Sequence, residues 1–225
     1  MTRAIIASIV IVGAGLVRVD SASAQTQRLP GTIEFSGGAS WLGKVSFGSA
    51  DATETTPTGS TTKLFETSSS LRPAAGLEAR LGVRLAGRAE VEGFMSFAKP
   101  TLATTISNDI EAGTTVTARE RVTEYVFGGA VLWYDNESPP LRVFVTAGAG
   151  YLRQLHESNT LAVTGQIYYG GVGVKYFFLS QRGRQVVKGL GLRVDGRLIA
   201  QRRGISLDDR VHYAPEVAGS LFVRF

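Results

Sequence analysis

His156 and Ser158 are the residues whose types and spacing come nearest to a catalytic pair in this chain. Residues i and i+2 of a β-strand share one face, so the imidazole could take a proton from the hydroxyl. Such a pair also needs an acid that orients the imidazole, and residues 159–174 contain no Asp or Glu. Glu157 points to the opposite face if the strand continues. We therefore predict that His156 and Ser158 are not catalytic.

Other chemistries find little support in the composition. The chain has no Cys and two His, which excludes a thiolate metal site, a cysteine nucleophile and a disulfide, and leaves little for a zinc cluster. Gly148-Ala149-Gly150 has no following Lys-Ser/Thr pair and does not make a phosphate loop. A net charge of +5 in 225 residues does not argue for a nucleic-acid partner. We predict no enzyme activity, no metal and no cofactor.

Residues 1–24 have the pattern of a secretory signal. Arg3 precedes an apolar run over 4–17, and Ala22-Ser23-Ala24 forms the small-x-small cleavage site before Gln25. The run is shorter than the roughly 20 residues of a spanning helix, although an uncleaved anchor is the alternative. We expect a cleaved signal at 1–24, a short lead at 25–30 and one domain at 31–225.

The rest of the chain alternates with period two. In Arg88–Ala98, for example, Val91 and Met95 alternate with Glu90 and Glu92. This pattern predicts strands with one apolar and one mixed face. Eight such segments are expected, at 31–42, 71–82, 87–99, 122–134, 141–156, 166–178, 189–201 and 212–225.

The connections alternate between long and short. Those at 43–70, 100–121, 157–165 and 202–211 are long or polar, and those at 83–86, 135–140 and 179–188 are shorter. Residues 46–70, rich in Ser and Thr, are expected to form a flexible or protruding outer hairpin. This parity is that of an eight-stranded antiparallel up-and-down barrel, an all-β fold.

Alternation leaves open which face lies inside the barrel. A soluble carrier would bury its apolar face, whereas a membrane barrel turns that face to lipid. Aromatic residues at both ends of the apolar sets favour the membrane barrel, because they match the two lipid–water interfaces. This predicted aromatic girdle comprises Trp41, Tyr125, Trp133, Tyr168, Tyr176 and Tyr213.

The charged face is nearly balanced, as a paired interior requires. Glu90 and Glu92 lie roughly 7 Å apart on one face, with Arg80 and Arg88 as expected neighbours, which favours an ion network over acid–base chemistry. The predicted interior network comprises Glu34, Glu78, Arg80, Arg88, Glu90, Glu92, Glu124, Lys175, Arg193, Asp195, Arg197, Glu216 and Arg224.

These patterns resemble the small bacterial outer-membrane β-barrel proteins, the group holding the OmpA transmembrane domain and OmpX. The resemblance rests on the signal, the alternating strands, the segments 148–151 and 170–176, and the final residues 221–225. The resemblance covers 31–225 and implies outer-membrane localisation. It also implies that Phe225 is an assembly signal read by the barrel-assembly machinery.

The resemblance implies a structural or surface-interaction role through the long loops. The partners expected are membrane lipid and lipopolysaccharide, the latter contacted through Arg202, Arg203 and Arg210, and we expect a monomer. A narrow channel for small solutes and a soluble periplasmic ligand carrier remain alternatives. A lipid A-modifying enzyme is a further alternative, because His156–Ser158 is similar to the His-x-Ser pair of some outer-membrane lipid A deacylases.

Overall fold

The computed structural model describes residues 33–56, 59–85, 87–108, 114–135, 140–157, 161–180, 186–205 and 210–225. All regular secondary structure in these residues is β. None of them belongs to a helix that is long and apolar enough to span a membrane. The strands are β1 (Ile33–Leu42), β2 (Val45–Thr55), β3 (Thr61–Leu71), β4 (Ala74–Arg84), β5 (Ala89–Ala98), β6 (Thr101–Ser107), β7 (Val116–Tyr134), β8 (Leu141–His156), β9 (Ala162–Ser180), β10 (Gly189–Arg203) and β11 (Val211–Arg224).

Eight of these strands close a barrel in the order β1-β4-β5-β7-β8-β9-β10-β11, and β11 pairs with β1. Every neighbouring pair is antiparallel. Closure leaves no barrel strand with an open edge of unpaired amides. The all-β, eight-stranded antiparallel barrel expected from the alternation is thereby confirmed.

The two ends of the barrel differ. We call the end that carries the long connections the loop end, and the end that carries the short turns and residues Ile33 and Phe225 the turn end. At the turn end, the backbone N–H of Phe225 donates to the carbonyl of Ile33 at 2.8 Å and completes the closure.

Three strands lie outside the closed barrel. Strands β2, β3 and β6 pair in the order β2-β3-β6 and continue onto the first residues of β7, Val116–Arg121. We call this four-stranded unit the loop-end sheet. The hairpin expected for residues 46–70 is therefore present, and the long connection at 100–121 contains β6 and the first residues of β7. Thr-rich segments such as Thr101–Ser107 suit a sheet once they have partners on both sides.

Apolar side chains seal the junction between the barrel and the loop-end sheet. Leu42, Val45, Leu71, Val122 and Ala214 are buried together there, and Phe47 packs with them. The carbonyl of Ser46 accepts a hydrogen bond from His212 Nδ1 at 2.8 Å, which fastens β2 to β11. The loop-end sheet is thus anchored to the barrel by a buried contact.

Candidate functional site

The barrel interior holds most of the charged side chains that the alternation assigned to it. Over most of each strand, a more buried residue alternates with a more exposed one, so the charged set of each strand faces inward. The buried members are Glu34, Glu78, Arg80, Glu90, Glu92, Glu124, Lys175, Arg193, Asp195, Arg197 and Glu216. Arg224 is partly buried at the turn end and bonds to Glu34 at 2.8 Å.

Glu92 is the centre of this network. Its Oε1 accepts a hydrogen bond from Arg193 Nη1 at 2.5 Å, and its Oε2 accepts one from Arg80 Nη1 at 3.3 Å. Lys175 Nζ lies 3.7 Å from Oε1. Three cations from three strands therefore surround one buried carboxylate.

Lys175 organises the turn-end side of the network. Its ammonium donates to Glu34 at 2.5 Å and to Glu90 at 3.0 Å. The hydroxyl of Tyr134 donates to the other Glu90 oxygen at 2.7 Å. Each acid is satisfied by at least two donors, as a buried charge requires.

Arg197 organises the loop-end side. It donates to Asp195, to Glu78 at 2.8 Å and to Glu216 at 3.1 Å, and so joins three strands. Glu78 also receives two hydrogen bonds from Arg80, at 3.0 and 2.8 Å. Such forked guanidinium–carboxylate pairs fix orientation as well as charge.

The observed interior network differs from the predicted one at two arginines. Arg88 was expected in the interior network, but β5 begins at Ala89, and Arg88 is exposed in the turn before it. Arg142, which the sequence argument left out, is fully buried, and its guanidinium lies 3.9 Å from the centre of the Tyr134 ring. Its alternation with Leu141 and Val143 was the signal that could have identified it.

The three carboxylates of Glu34, Glu90 and Glu92 lie close enough to suggest a metal site, with oxygens within 4.8 Å of one another. The ammonium of Lys175 already lies among them. We therefore interpret the group as an ion-paired acid cluster whose counter-charge is the lysine.

A small cavity lies inside the barrel on the loop-end side of the ion network. The cavity above the ion network, lined by residues such as Ser40, Glu124 and Tyr169, holds about 30 Å³. Space of that size admits one or two water molecules. Glu124 is buried beside it and accepts a hydrogen bond from Gln154 Nε2 at 2.8 Å.

The predicted aromatic girdle lies on the outward face at both ends. Trp41, Tyr168 and Tyr213 are exposed near the loop end, and Trp133 and Tyr176 near the turn end. The sixth member, Tyr125, is half-buried because its ring packs on Phe97, with ring centroids 5.2 Å apart.

His156 has an acidic partner that the sequence argument did not find. Its Nδ1 lies 2.7 Å from Oε1 of Glu120, a residue of β7. A carboxylate only accepts hydrogen bonds, so Nδ1 carries the proton. The orienting acid is therefore supplied by a strand that precedes His156, and not by residues 159–174, which contain no Asp or Glu. Ser158 lies outside the described residues.

An open pocket of about 510 Å³ lies beside His156 at the loop end. Its wall is largely apolar and includes Leu102, Leu161, Val163 and Ile205. Strands β6 and β9 and the segment after β10 contribute these side chains. The pocket thus forms where the loop-end sheet meets the barrel rim.

The remaining predicted contacts lie at the surface. Arg202, Arg203 and Arg210 are all exposed at the loop end. On the loop-end sheet, Lys63 pairs with Asp51 at 2.6 Å and with Glu66 at 3.1 Å. The hydrogen bonds that the Lys63 ammonium donates, first to Asp51 and then to Glu66, raise the pKa of Lys63.

Comparisons with known proteins give a fold and no close relative. No protein-family model matches the chain, and no curated protein matches it. Among solved structures, neisserial surface protein A (NspA) aligns with a TM-score of 0.52 at 12% identity, over 86% of this chain and 97% of that one. The chain has the fold of a small outer-membrane β-barrel.

A second solved structure, the outer membrane protein OprG from Pseudomonas aeruginosa, aligns with a TM-score of 0.49 at 10% identity. The alignment covers 87% of this chain and 96% of that chain. We base the fold comparison on NspA, whose TM-score exceeds 0.5. At these identities the likeness concerns the fold, so the function of this barrel has to be argued from its own residues.

Proposed function

We propose that the protein is a non-enzymatic outer-membrane barrel that is closed to solutes and presents the loop-end sheet at the cell surface. The observation that carries this proposal is the ion network of Glu92, Arg193, Arg80 and Lys175, which crosses the lumen from several walls. An eight-stranded barrel whose interior is filled by side chains in this way suits an anchor better than a channel.

The outward face supports a position in a membrane. Large apolar side chains cover it between the two aromatic levels, and they include Leu77, Phe127, Val172 and Leu221, each about half exposed. A soluble protein rarely exposes a continuous apolar surface of this extent, whereas lipid accepts it. This face argues against the soluble carrier.

The loop-end sheet supports the surface role. It extends the barrel wall beyond the buried junction and carries exposed polar side chains of β2 and β3. Surface segments held on a rigid scaffold are where recognition usually occurs. We also propose contact with lipopolysaccharide through Arg202, Arg203 and Arg210, assembly by the barrel-assembly machinery, and a monomeric state.

A planar-bilayer experiment with an epitope insertion tests this function. The epitope is inserted next to Gly59, between β2 and β3. We expect intact cells to bind the antibody and the purified protein to show no stepwise conductance. Stepwise conductance would favour the narrow channel, and recovery from the periplasmic fluid would favour the soluble carrier.

A second candidate function is hydrolysis of a lipid ester at the barrel rim. It is favoured by the His156–Glu120 hydrogen bond beside an apolar pocket, since an oriented imidazole can serve as a general base. Incubating the purified protein with lipid A tests it. Deacylation that disappears in His156→Asn, with the barrel still folded, would replace the non-enzymatic proposal.

A further inference from the structure

The charges on the outward face of the barrel wall are all of one sign. Among the described residues of the eight barrel strands, the outward-facing charged side chains are Arg119 and Arg121 on the part of β7 that pairs in the loop-end sheet, Arg153 on β8 and Arg202 on β10. Lys99, directly after β5, and Glu157, directly after β8, are also exposed. All of these residues lie at the loop end. A random set of outward strand positions would mix acids and bases, so the presence of bases alone at these strand positions indicates an anionic partner.

Three of these cations lie on neighbouring strands. Arg153 of β8 is directly opposite Tyr125 of β7, and Phe97 of β5 is opposite Tyr125 on its other side. The Lys99 ammonium lies 5.6 Å from the Phe97 ring centre. Arg121 shares the outward face of β7 with Tyr125, roughly 13 Å further toward the loop end. We call Lys99, Arg121 and Arg153 the wall patch.

The described residues around the wall patch do not neutralise it. None of its three side chains forms an ion pair with a described residue. The acids on the same strands are engaged elsewhere, since Glu120 bonds to His156 and Glu124 is buried in the lumen. Glu157, exposed four positions after Arg153, is the nearest acid on that strand's outward side.

The location decides which anion fits. The patch begins where the Phe97–Tyr125 aromatic pair ends, at the level where the apolar wall becomes polar. In a bilayer, aromatic rings occupy the boundary between acyl chains and headgroups, and lipid phosphates lie just beyond them. Guanidinium groups recognise phosphate oxygens with paired hydrogen bonds, and an ammonium adds a compact charge.

We infer that the wall patch binds the phosphate of a membrane-lipid headgroup in the leaflet at the loop end. This inference rests on the proposed membrane location. It names a site different from Arg202, Arg203 and Arg210, on the opposite side of the girdle residue Tyr168. The lipid chains lie along the apolar wall below the patch, and the headgroup phosphate lies among the three cations.

Native mass spectrometry of the purified full-length barrel tests the site. The probe is a short-chain phosphatidic acid. The control lipid is a diacylglycerol with the same acyl chains, which lacks only the phosphate. The variant Lys99→Gln/Arg121→Gln/Arg153→Gln is compared with Lys63→Gln/Arg88→Gln/Lys188→Gln, which loses the same charge away from the wall patch. We expect the first variant to bind phosphatidic acid at least about tenfold more weakly than the control.

The outcomes separate the site from the membrane location. If both variants bind phosphatidic acid equally, the wall patch is not the binding site. If the unmodified barrel binds the diacylglycerol as tightly as phosphatidic acid, the phosphate is not recognised. Either result overturns the proposed site and leaves the membrane location of the barrel standing. Inorganic phosphate that displaces the lipid at equal concentration would show that the patch takes free phosphate, which also overturns the lipid assignment. A chain that fractionates as a soluble protein overturns the proposed function itself. If the triple variant does not insert, Arg121→Gln and Arg153→Gln singly give the same comparison.

Discussion

Arg193 and Glu92 face each other across the whole width of the barrel, and their side chains meet at 2.5 Å. They belong to β10 and β5, which are four strands apart in either direction around the eight-stranded ring. A hydrogen bond between diametrically opposed walls can form only where the interior is narrow enough for side chains to fill it. The pair therefore spans the lumen and joins two opposite walls of the barrel.

Glu92→Ala should destabilise the barrel far more than Glu54→Ala. Removing Glu92 takes away the carboxylate that Arg193 and Arg80 share, so that Arg193 keeps only Asp195 and Arg80 keeps only Glu78. The interior then holds one uncompensated positive charge, and breaking a buried ion pair typically costs about 3–5 kcal/mol. Glu54 is exposed on β2, where a substitution usually changes stability by less than about 0.5 kcal/mol. The temperature midpoint of the mobility shift on semi-native gels measures the thermal stability of each variant. Equal midpoints would show that Glu92 is not in a buried network.

Lys175→Met should also destabilise the barrel, because it leaves the acids of Glu34, Glu90 and Glu92 together without their ammonium. Adding Glu34→Gln to this variant should then cost less than Glu34→Gln costs alone, since it removes one of three repelling charges. A double-mutant cycle in urea measures this coupling. Strict additivity would contradict the shared site.

Gly128 and Gly129 offer a matched test of the two faces. A Cβ on Gly128 would meet the Gly150 Cα and the Phe94 ring at 2.7 Å, whereas one on Gly129 would have only an ordinary contact at 3.6 Å. Gly128→Ala should therefore lower the folded fraction, and Gly129→Ala should leave it near that of the parent protein. Unfolding in urea gives both values. The opposite order would mean that the faces are reversed.

Phe225→Ala should reduce the amount of folded barrel, and Phe225→Tyr should restore most of it. The side chain lies on the outward face at the turn end, next to the backbone hydrogen bond from Phe225 to Ile33. An aromatic ring suits an interfacial position there, and we expect it to be the assembly signal. The heat-modifiable band in outer-membrane fractions reports the yield. A normal yield with Ala would remove this role.

The alternating sequence pattern did not predict the strands of the loop-end sheet. Residues 46–70 and 100–121 lack a strong apolar alternation. Strands β2 and β3 pair with each other, as do β6 and β7, and the pairing of β3 with the more distant β6 joins them into one sheet. Glu120 illustrates the same point at the rim. It lies 36 residues before His156, and no local spacing connects the two.

The sequence by itself determined the alternating strands, the two chemically different faces and the near balance of interior charge. These follow from a period of two residues, which is a local property of an extended chain. The tertiary structure alone decided which charges meet. Lys175 and Glu34 are 141 positions apart, and only strand register and the narrow ring of eight strands bring them within 2.5 Å. The same closure places Arg88 outside, Arg142 inside and Glu120 beside His156, because each depends on where a strand begins and which strand lies next to it.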